Sequence, residues 1–356
     1  MIKPKKVLIA PLNWGLGHAT RCIPIIQAFE QQGATVFLAS DGAALQLLKK
    51  EFPKLPAFEL PAYDVRYIFP NMVLSMAVQM PKILRGVWQE HFWLKRFIKT
   101  NDIDIVISDN RYGFYNKAVY NIFMTHQINI QAPFSFLVNA INRFCIKKFD
   151  VCWIPDFENV PNLAGTLSHG GLVKSLNVQY LGVLSRMEKK DIVSRHDAII
   201  VLSGPEPQRT ILEHKILFQL KNEHFSKSSF VLVRGVTDDK NIDFALKNLE
   251  IHNYLTTDDL NKKILESEIM IARSGYSTLM DLVSLGVKAL LIPTPGQTEQ
   301  EYLAKQLEQQ KLFFTQTQKN LDLKTALEKA KDYKGFGNLF VKQDSLNEII
   351  KILLKN

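Results

Sequence analysis

The chain has 356 residues, 46% of them hydrophobic and 22% charged, with a net charge of +9 at neutral pH and an isoelectric point near 9.2. That length is more than one core usually serves, so two domains are expected, and the composition is that of a soluble globular protein rather than a disordered or fibrous one. The modest positive excess suits anionic small molecules, anionic lipid or nucleic acid, and no stretch of about 18 uncharged apolar residues is present to span a membrane.

The N-terminus, Met1-Ile2-Lys3-Pro4-Lys5-Lys6, lacks the apolar stretch and cleavage site of a secretory signal and runs into an apolar strand, Val7–Ala10. Asn13-Trp14-Gly15-Leu16-Gly17-His18 follows, and a helical pattern begins near Ala19. Such a strand–turn–helix unit attracts phosphate through the free N–H groups and dipole of the helix N-terminus. Gly15-x-Gly17 matches part of a dinucleotide fingerprint, but Thr20 stands where its third glycine belongs. Asp41, after the second strand Thr35–Ala39, occupies the place of a ribose-binding acid, so a nicotinamide oxidoreductase stays open as an alternative. His18 fits other chemistry: an imidazole with a pKa of about 6.5 beside a phosphate-binding turn suits a general base, and otherwise caps the helix.

Met72 to Lys99 interleaves aromatics with cations: Lys82, Arg85, Trp88, His91, Phe92, Trp93, Lys95, Arg96, Phe97 and Lys99. This basic amphipathic helix either lies on an anionic membrane or packs on the sheet with its cations in water. The third strand, Ile103–Ile107, leads to Asp109, an acid at a strand C-terminus, where α/β sheets place ligands. Asp109 either orients His18, acts as base itself, or starts a turn. The fourth strand, Tyr120–Met124, leads to Thr125-His126-Gln127, with His126 read as facing an acceptor rather than the core. His169 reads as a loop histidine without a role. Three cysteines, Cys22, Cys145 and Cys152, show no metal spacing, and their odd number favours a reducing cytosol. The halves are expected to join between Asn177 and Lys190, where the short apolar piece Val178–Val183 precedes a charged stretch.

The second half repeats the alternation, with apolar runs at Ala198–Leu202, Phe230–Val233, Met270–Ala272 and Ala289–Ile292. Continuous apolar strands alternating with helices predict parallel sheets covered on both faces. Arg273-Ser274-Gly275-Tyr276-Ser277-Thr278 forms a second strand–turn–helix unit. Ser274, Ser277 and Thr278 offer hydroxyls and free N–H groups suited to a diphosphate, and Asp281, a turn further on, suits the two hydroxyls of a ribose. A strand ending in Pro293-Thr294-Pro295-Gly296 precedes Glu299-Gln300, an acid–amide pair suited to sugar hydroxyls. Leu346, Ile349, Ile350, Leu353 and Leu354 predict a closing amphipathic helix, capped by Asp344 or Ser345.

In that order, Gly-x-Gly-His, then Ser-Gly-x-Ser-Thr-x-x-Asp, then Pro-x-x-x-x-x-Glu-Gln, the chain resembles the family 28 glycosyltransferases of the GT-B fold. That family includes an N-acetylglucosaminyltransferase of lipid-linked peptidoglycan precursors and diacylglycerol galactosyltransferases. The resemblance implies an α/β fold of two Rossmann-like domains with parallel sheets facing across a cleft: an acceptor-side domain over 1–180, a nucleotide-sugar domain over 181–340, and a closing helix over 341–356. It implies transfer of a hexose, N-acetylglucosamine first, from a UDP-sugar to an acceptor hydroxyl, with inversion, no metal and no cofactor beyond the co-substrate. His18 would lie by the reaction centre as base or as donor to the phosphate. Gly15 and Gly17 would admit the diphosphate, Ser274, Gly275, Ser277 and Thr278 would hold the α-phosphate, and Asp281 would bind the ribose. Glu299 and Gln300 would take the donor sugar, backbone at Thr256 and Thr257 the uracil, and His126 and Gln127 the acceptor side. The family's Gly-Gly-Ser-x-Gly loop is here Ser203-Gly204-Pro205-Glu206-Pro207, in which two prolines remove N–H donors, and Gln208 and Arg209 would compensate. The partners implied are a UDP-sugar, a lipid-linked acceptor and an anionic membrane at the cytoplasmic face of the inner membrane, with no nucleic acid. A UDP-sugar epimerase of the same fold and a non-catalytic UDP-sugar binder remain the alternatives.

Overall fold

The apolar runs become the strands of two all-parallel sheets in a computed structural model that describes residues 3–63, 72–131, 135–171, 173–236, 244, 246–337 and 345–355. Each sheet has its own unit: one comprises Met1–Ser185 with Lys342–Asn356, the other Arg186–Val341.

In the first unit seven strands run β1 (Lys6–Pro11), β2 (Thr35–Ser40), β3 (Ala57–Glu59), β4 (Ile105–Asp109), β5 (Tyr120–Met124), β6 (Val151–Ile154) and β7 (Val178–Tyr180). Their order in the sheet is β3-β2-β1-β4-β5-β6-β7. Helices α1 (Leu16–Gln31), α2 (Gly42–Glu51), α3 (Met72–Asn101) and α4 (Ser135–Ile146) connect them. The chain order reverses between β1 and β4, which pair with Pro11 beside Asp109. That switch point is where open α/β sheets bind ligands. The central strands are buried on both faces, as uninterrupted apolar sequence requires.

Three local expectations shift. Helix α1 begins at Leu16 rather than near Ala19, because Gly15, at φ 86°, takes the non-helical position before it. Gly17 and His18 therefore lie in the first helical turn, not in the loop. Strand β4 starts two residues later than the apolar run, because Asp102 turns through φ 53° and Ile103 leads in. Val178–Tyr180, expected as part of the junction, adds an edge strand by pairing with β6.

The second unit carries β8 (His196–Val201), α5 (Gln208–Leu220), β9 (Phe230–Val233), β10 (Leu249–His252), α6 (Thr257–Leu265), β11 (Ser267–Ala272) and α7 (Tyr276–Leu285). It continues through β12 (Lys288–Leu291), α8 (Thr298–Gln309), β13 (Phe314–Thr315) and α9 (Leu323–Lys331), with strand order β10-β9-β8-β11-β12-β13. Gly286 ends α7 in the left-handed conformation, its N–H bonded to the Leu282 carbonyl. The last helix, α10 (Ser345–Lys355), belongs to the first unit: Ile350 is fully buried and the Ser345 hydroxyl donates to the Leu181 carbonyl at 2.7 Å. The expected cap Asp344 lies outside the described residues.

Candidate functional site

In the first unit the residues gather where β1, β4 and β5 end. Asp109 closes β4 and has no exposed surface. His18 and Arg21 are three apart on α1, hence on one helix face above it. Arg21 Nε donates to Asp109 Oδ2 at 2.8 Å, and Arg21 Nη2 donates to Asp109 Oδ1. His18 Nδ1 stands 3.1 Å from Asp109 Oδ1 and 2.9 Å from Arg21 Nη2. Beyond them, Arg21 Nη1 donates to His126 Nδ1 at 2.9 Å. Thus His18, Asp109 and His126, expected separately, share one cluster, with His126 buried against Arg21 rather than turned outward.

The charges follow from this packing. Burial alone would push the Asp109 carboxyl up, but the Arg21 guanidinium, then His18, outweigh it and hold it well below the usual carboxylate range. Asp109 is thus an ionised acceptor and a poor proton acceptor from substrate. Burial, the largest influence on His18, lowers its pKa; Asp109 pulls it back up and Arg21 lowers it again. The two neighbours of Nδ1 ask for opposite tautomers. An ionised carboxylate is the stronger partner, and Arg21 already has Asp109 and His126. The favoured tautomer therefore donates Nδ1–H to Asp109 and leaves Nε2 as a base. Burial also raises the thiol of Cys22, whose Sγ lies 3.8 Å from Asp109 Oδ2, far above neutrality.

Arg21 was missed in the sequence. Its signal was the spacing: a cation three residues after a candidate histidine, on a helix otherwise apolar on that face. The segment after β5 is pinned by two buried amides. Asn142 Nδ2 donates to the Gln127 and Ile128 carbonyls at 3.1 and 3.0 Å, and Asn139 Oδ1 accepts from the Ile130 N–H at 2.7 Å. A second buried network occupies the neighbouring strand ends. Asp41 accepts from Arg111 and, at 3.1 Å, from Asn13 Nδ2, while Arg111 reaches buried Glu90 at 3.3 Å. Asp41 is thereby engaged within the protein, which removes the acid on which the nicotinamide alternative rested.

In the second unit, Gly275 precedes α7, and Ser277, Thr278 and Asp281 lie half-buried on it. Ser274 differs from expectation: it is fully buried and its hydroxyl donates to the Gln300 carbonyl at 2.9 Å, so its side chain braces the turn. Gln300 Oε1 accepts from the Thr294 N–H at 2.8 Å, which ties the Pro/Gly loop to the start of α8, with Glu299 half-buried beside it. Thr256 caps α6 by accepting from the Asp259 N–H at 3.3 Å, and the Thr257 hydroxyl accepts from Arg186 at 2.7 Å. Arg209, expected to help hold phosphate, is committed elsewhere. It donates to Glu206 at 2.6 Å and to Glu213 at 3.0 Å, because a buried guanidinium needs counter-charge. Among the described residues no group of three or more histidines, cysteines or carboxylates could hold a metal ion, and no helix is long and apolar enough to cross a membrane.

Residues 198–335, most of this second unit, match the model of the glycosyltransferase family 28 C-terminal domain. A protein of Methanosarcina acetivorans named as an uncharacterized glycosyltransferase is 22% identical over 324 residues, 85% of this chain and 81% of its own. A stretch of 124 residues, 32% of each chain, is 31% identical to the UDP-N-acetylglucosamine–N-acetylmuramyl-(pentapeptide) pyrophosphoryl-undecaprenol N-acetylglucosamine transferase of Caldanaerobacter subterraneus. Among solved structures, MurG of Acinetobacter baumannii aligns with a TM-score of 0.58 at 15% identity, over 99% of this chain and 100% of its own. The glycotransferase of kitacinnamycin aligns at 0.62 and 11% identity, over 100% and 99%. At such identities these structures establish the fold.

Proposed function

Because the chain is a family 28 glycosyltransferase with the GT-B fold, we propose that it transfers a hexose, N-acetylglucosamine, from a UDP-sugar to an acceptor hydroxyl with inversion and without a metal. The observation that carries the chemistry is the buried carboxylate behind His18. With Nδ1 held by Asp109, Nε2 of a neutral imidazole takes the acceptor proton as the glycosidic bond forms. A half-buried, pinned histidine with a lowered pKa stays neutral at physiological pH, the state a base must start from. Donor binding falls to the second unit. The start of α7 presents N–H groups to the leaving diphosphate, and stabilising the charge that develops there is commonly the largest single contribution to such a step.

The acceptor in this reading is lipid-linked and met at an anionic membrane surface. Two helices of the first unit support it. On α3, Leu84, Trp88 and Phe92 repeat every four residues and are 61%, 63% and 41% exposed. Lys82, Arg85, Lys95, Arg96 and Lys99 flank them in solvent, and the helix's one acid, Glu90, is buried. On α4, Phe136, Leu137, Ile141 and Phe144 are all more than half exposed, beside Lys147 and Lys148.

His18→Ala tests the base assignment. The variant keeps UDP binding by titration calorimetry and loses sugar transfer; transfer at the parent rate would overturn the role given to His18. A parent protein that turns over no UDP-sugar with any hydroxyl acceptor would overturn the reaction itself.

A further inference from the structure

Among the described residues of the second unit, one buried cation has no carboxylate beside it. Three of its guanidiniums are buried among the described residues: Arg209, Arg234 and Arg273. The first two share Glu213, and Arg209 also has Glu206. Arg273 is 1% exposed and meets only neutral acceptors. These are the carbonyls of Ile292 and Pro293 at 3.2 Å each and of Gln208 at 2.9 Å, and Gln318 Oε1 at 2.6 Å. Its Nε has no partner. Burial draws this guanidinium down to about 10, which still leaves it charged at neutral pH. A charge taken out of water without a counter-charge is costly, and a site that keeps one is prepared for an anion.

A second orphan lies beside it. Thr294 is 1% exposed, and its Oγ1 has no hydrogen-bond partner either. Both atoms border one spot, marked by Gly204. A Cβ on Gly204 would stand 3.4 Å from Thr294 Oγ1 and 4.0 Å from Arg273 Nε, with no other non-neighbouring heavy atom within 4 Å. Gly204 is exposed, at φ 101°, a conformation that keeps side chains out. It sits in the loop where Pro205 and Pro207 have removed backbone donors. Two side-chain donors without hydrogen-bond partners thus meet at the Cβ side of Gly204 in that loop, one of them charged at neutral pH.

We propose that Arg273 and Thr294 are the side-chain donors with which the second unit holds a diphosphate, in place of the backbone donors lost from the Ser203–Pro207 loop. The inference rests on the UDP-sugar reading and deepens it. Arg273 is also a positioning residue, since its other nitrogens fasten the start of α5 to the loop after β12.

Thr294→Val is the sharpest test, because the hydroxyl makes no hydrogen bond in the free protein and the variant gives none up. Titration calorimetry on the full chain uses UDP, inorganic pyrophosphate and uridine as probes. Thr294→Val is expected to melt no lower than the parent yet bind UDP and pyrophosphate about tenfold more weakly, with uridine unchanged, as for one hydrogen bond to a charged group. Arg273→Lys, which keeps the charge and loses the fork, is expected to weaken both anions further. If Thr294→Val binds UDP as tightly as the parent, the assignment of these donors is overturned and the UDP-sugar reading survives. If the parent binds pyrophosphate but not UDP, the donors stand and that reading falls; if it binds neither, both fall.

Discussion

Asp109 keeps its charge because Arg21 grips both of its oxygens, from a position 88 residues away in sequence. Removing one partner strands the other in a buried site, so Asp109→Asn should lose about 3–5 kcal/mol in urea unfolding. The double variant Arg21→Met with Asp109→Leu should recover most of that, since no lone charge remains. If it is as unstable as the two single losses added together, the pair is not the coupled unit described. His18 adds a pH dependence. Its folded pKa is lowered, so the unfolded chain takes up a proton first, near the ordinary 6.5, and stability falls as pH drops below that value. Asp109 acts in the same direction at lower pH: its depressed pKa gives stability that is present above the usual carboxylate range and lost as pH falls through the folded value. His18→Gln should flatten the slope between pH 5 and about 6.5 in urea midpoints, and the acid limb of the parent's transfer rate should lie below pH 6.5. The sequence made His18, Asp109 and His126 visible one by one, because each sits at a strand end or a helix start. It did not reveal Arg21, since a lone arginine in a second helical turn reads as solvated until the strand beneath it supplies a carboxylate. For the same reason Ser274 and Gln300 were legible as positions but not as braces: which way a side chain turns depends on the loop that meets it.

At the scale of elements, the long apolar runs were legible and the short edge strands were not. β1, β4, β8 and β11 are buried on both faces and need uninterrupted apolar sequence. β3, β7, β10 and β13 have two to four residues and exist through pairing with a neighbour, a property no local pattern carries. Helix α3 was legible as basic and amphipathic, and of its two expected roles packing on the sheet is the one met. Leu94 and Ile98 are buried against the sheet, while Leu84, Trp88 and Phe92 face outward. α4 continues this surface: His91 packs on Tyr115 at 5.0 Å, and Lys148 stands 5.4 Å over Tyr115 and 5.2 Å over Phe144. An apolar stripe rimmed by cations, without an exposed acid on α3, fits anionic headgroups, each cation contributing about 1 kcal/mol. The protein should therefore sediment with vesicles containing phosphatidylglycerol, and much less with phosphatidylcholine alone. Raising salt should release it, as the screening length shortens from about 10 Å at 0.1 M. Trp88→Ala with Phe92→Ala should weaken binding at every salt concentration. Equal sedimentation of parent and double variant would remove this face from consideration.

Among the described residues each unit has apolar clusters of its own, and the C-terminal helix joins the first unit. One core gathers Ile200, Leu232, Ile271 and Leu290 with Leu323 and Ala326 of α9; the first unit's clusters lie around Leu8, Val106 and Leu94, and around Phe123, Ile146 and Ile154. The C-terminal α10 turns Ile350 into the first unit, although the helix before it in sequence, α9, belongs to the second. Two cores with a chain that passes between them twice are expected to unfold in more than one step, where a single two-state stability no longer describes the protein. Ligand and truncation should then act on different steps. On the proposed function, UDP should raise the second unit's transition by about 2.7 kcal/mol at a hundredfold excess over its Kd and leave the other in place. Ending the chain before Ser345 removes one fully buried isoleucine and the Ser345–Leu181 hydrogen bond, and should lower the first unit's transition by about 2–4 kcal/mol without changing UDP affinity. Scanning calorimetry of the parent and the truncated chain, each with and without UDP, separates the two effects. A single transition that both changes shift together would mean that the units unfold as one, and the independence of donor binding from α10 would fail with it.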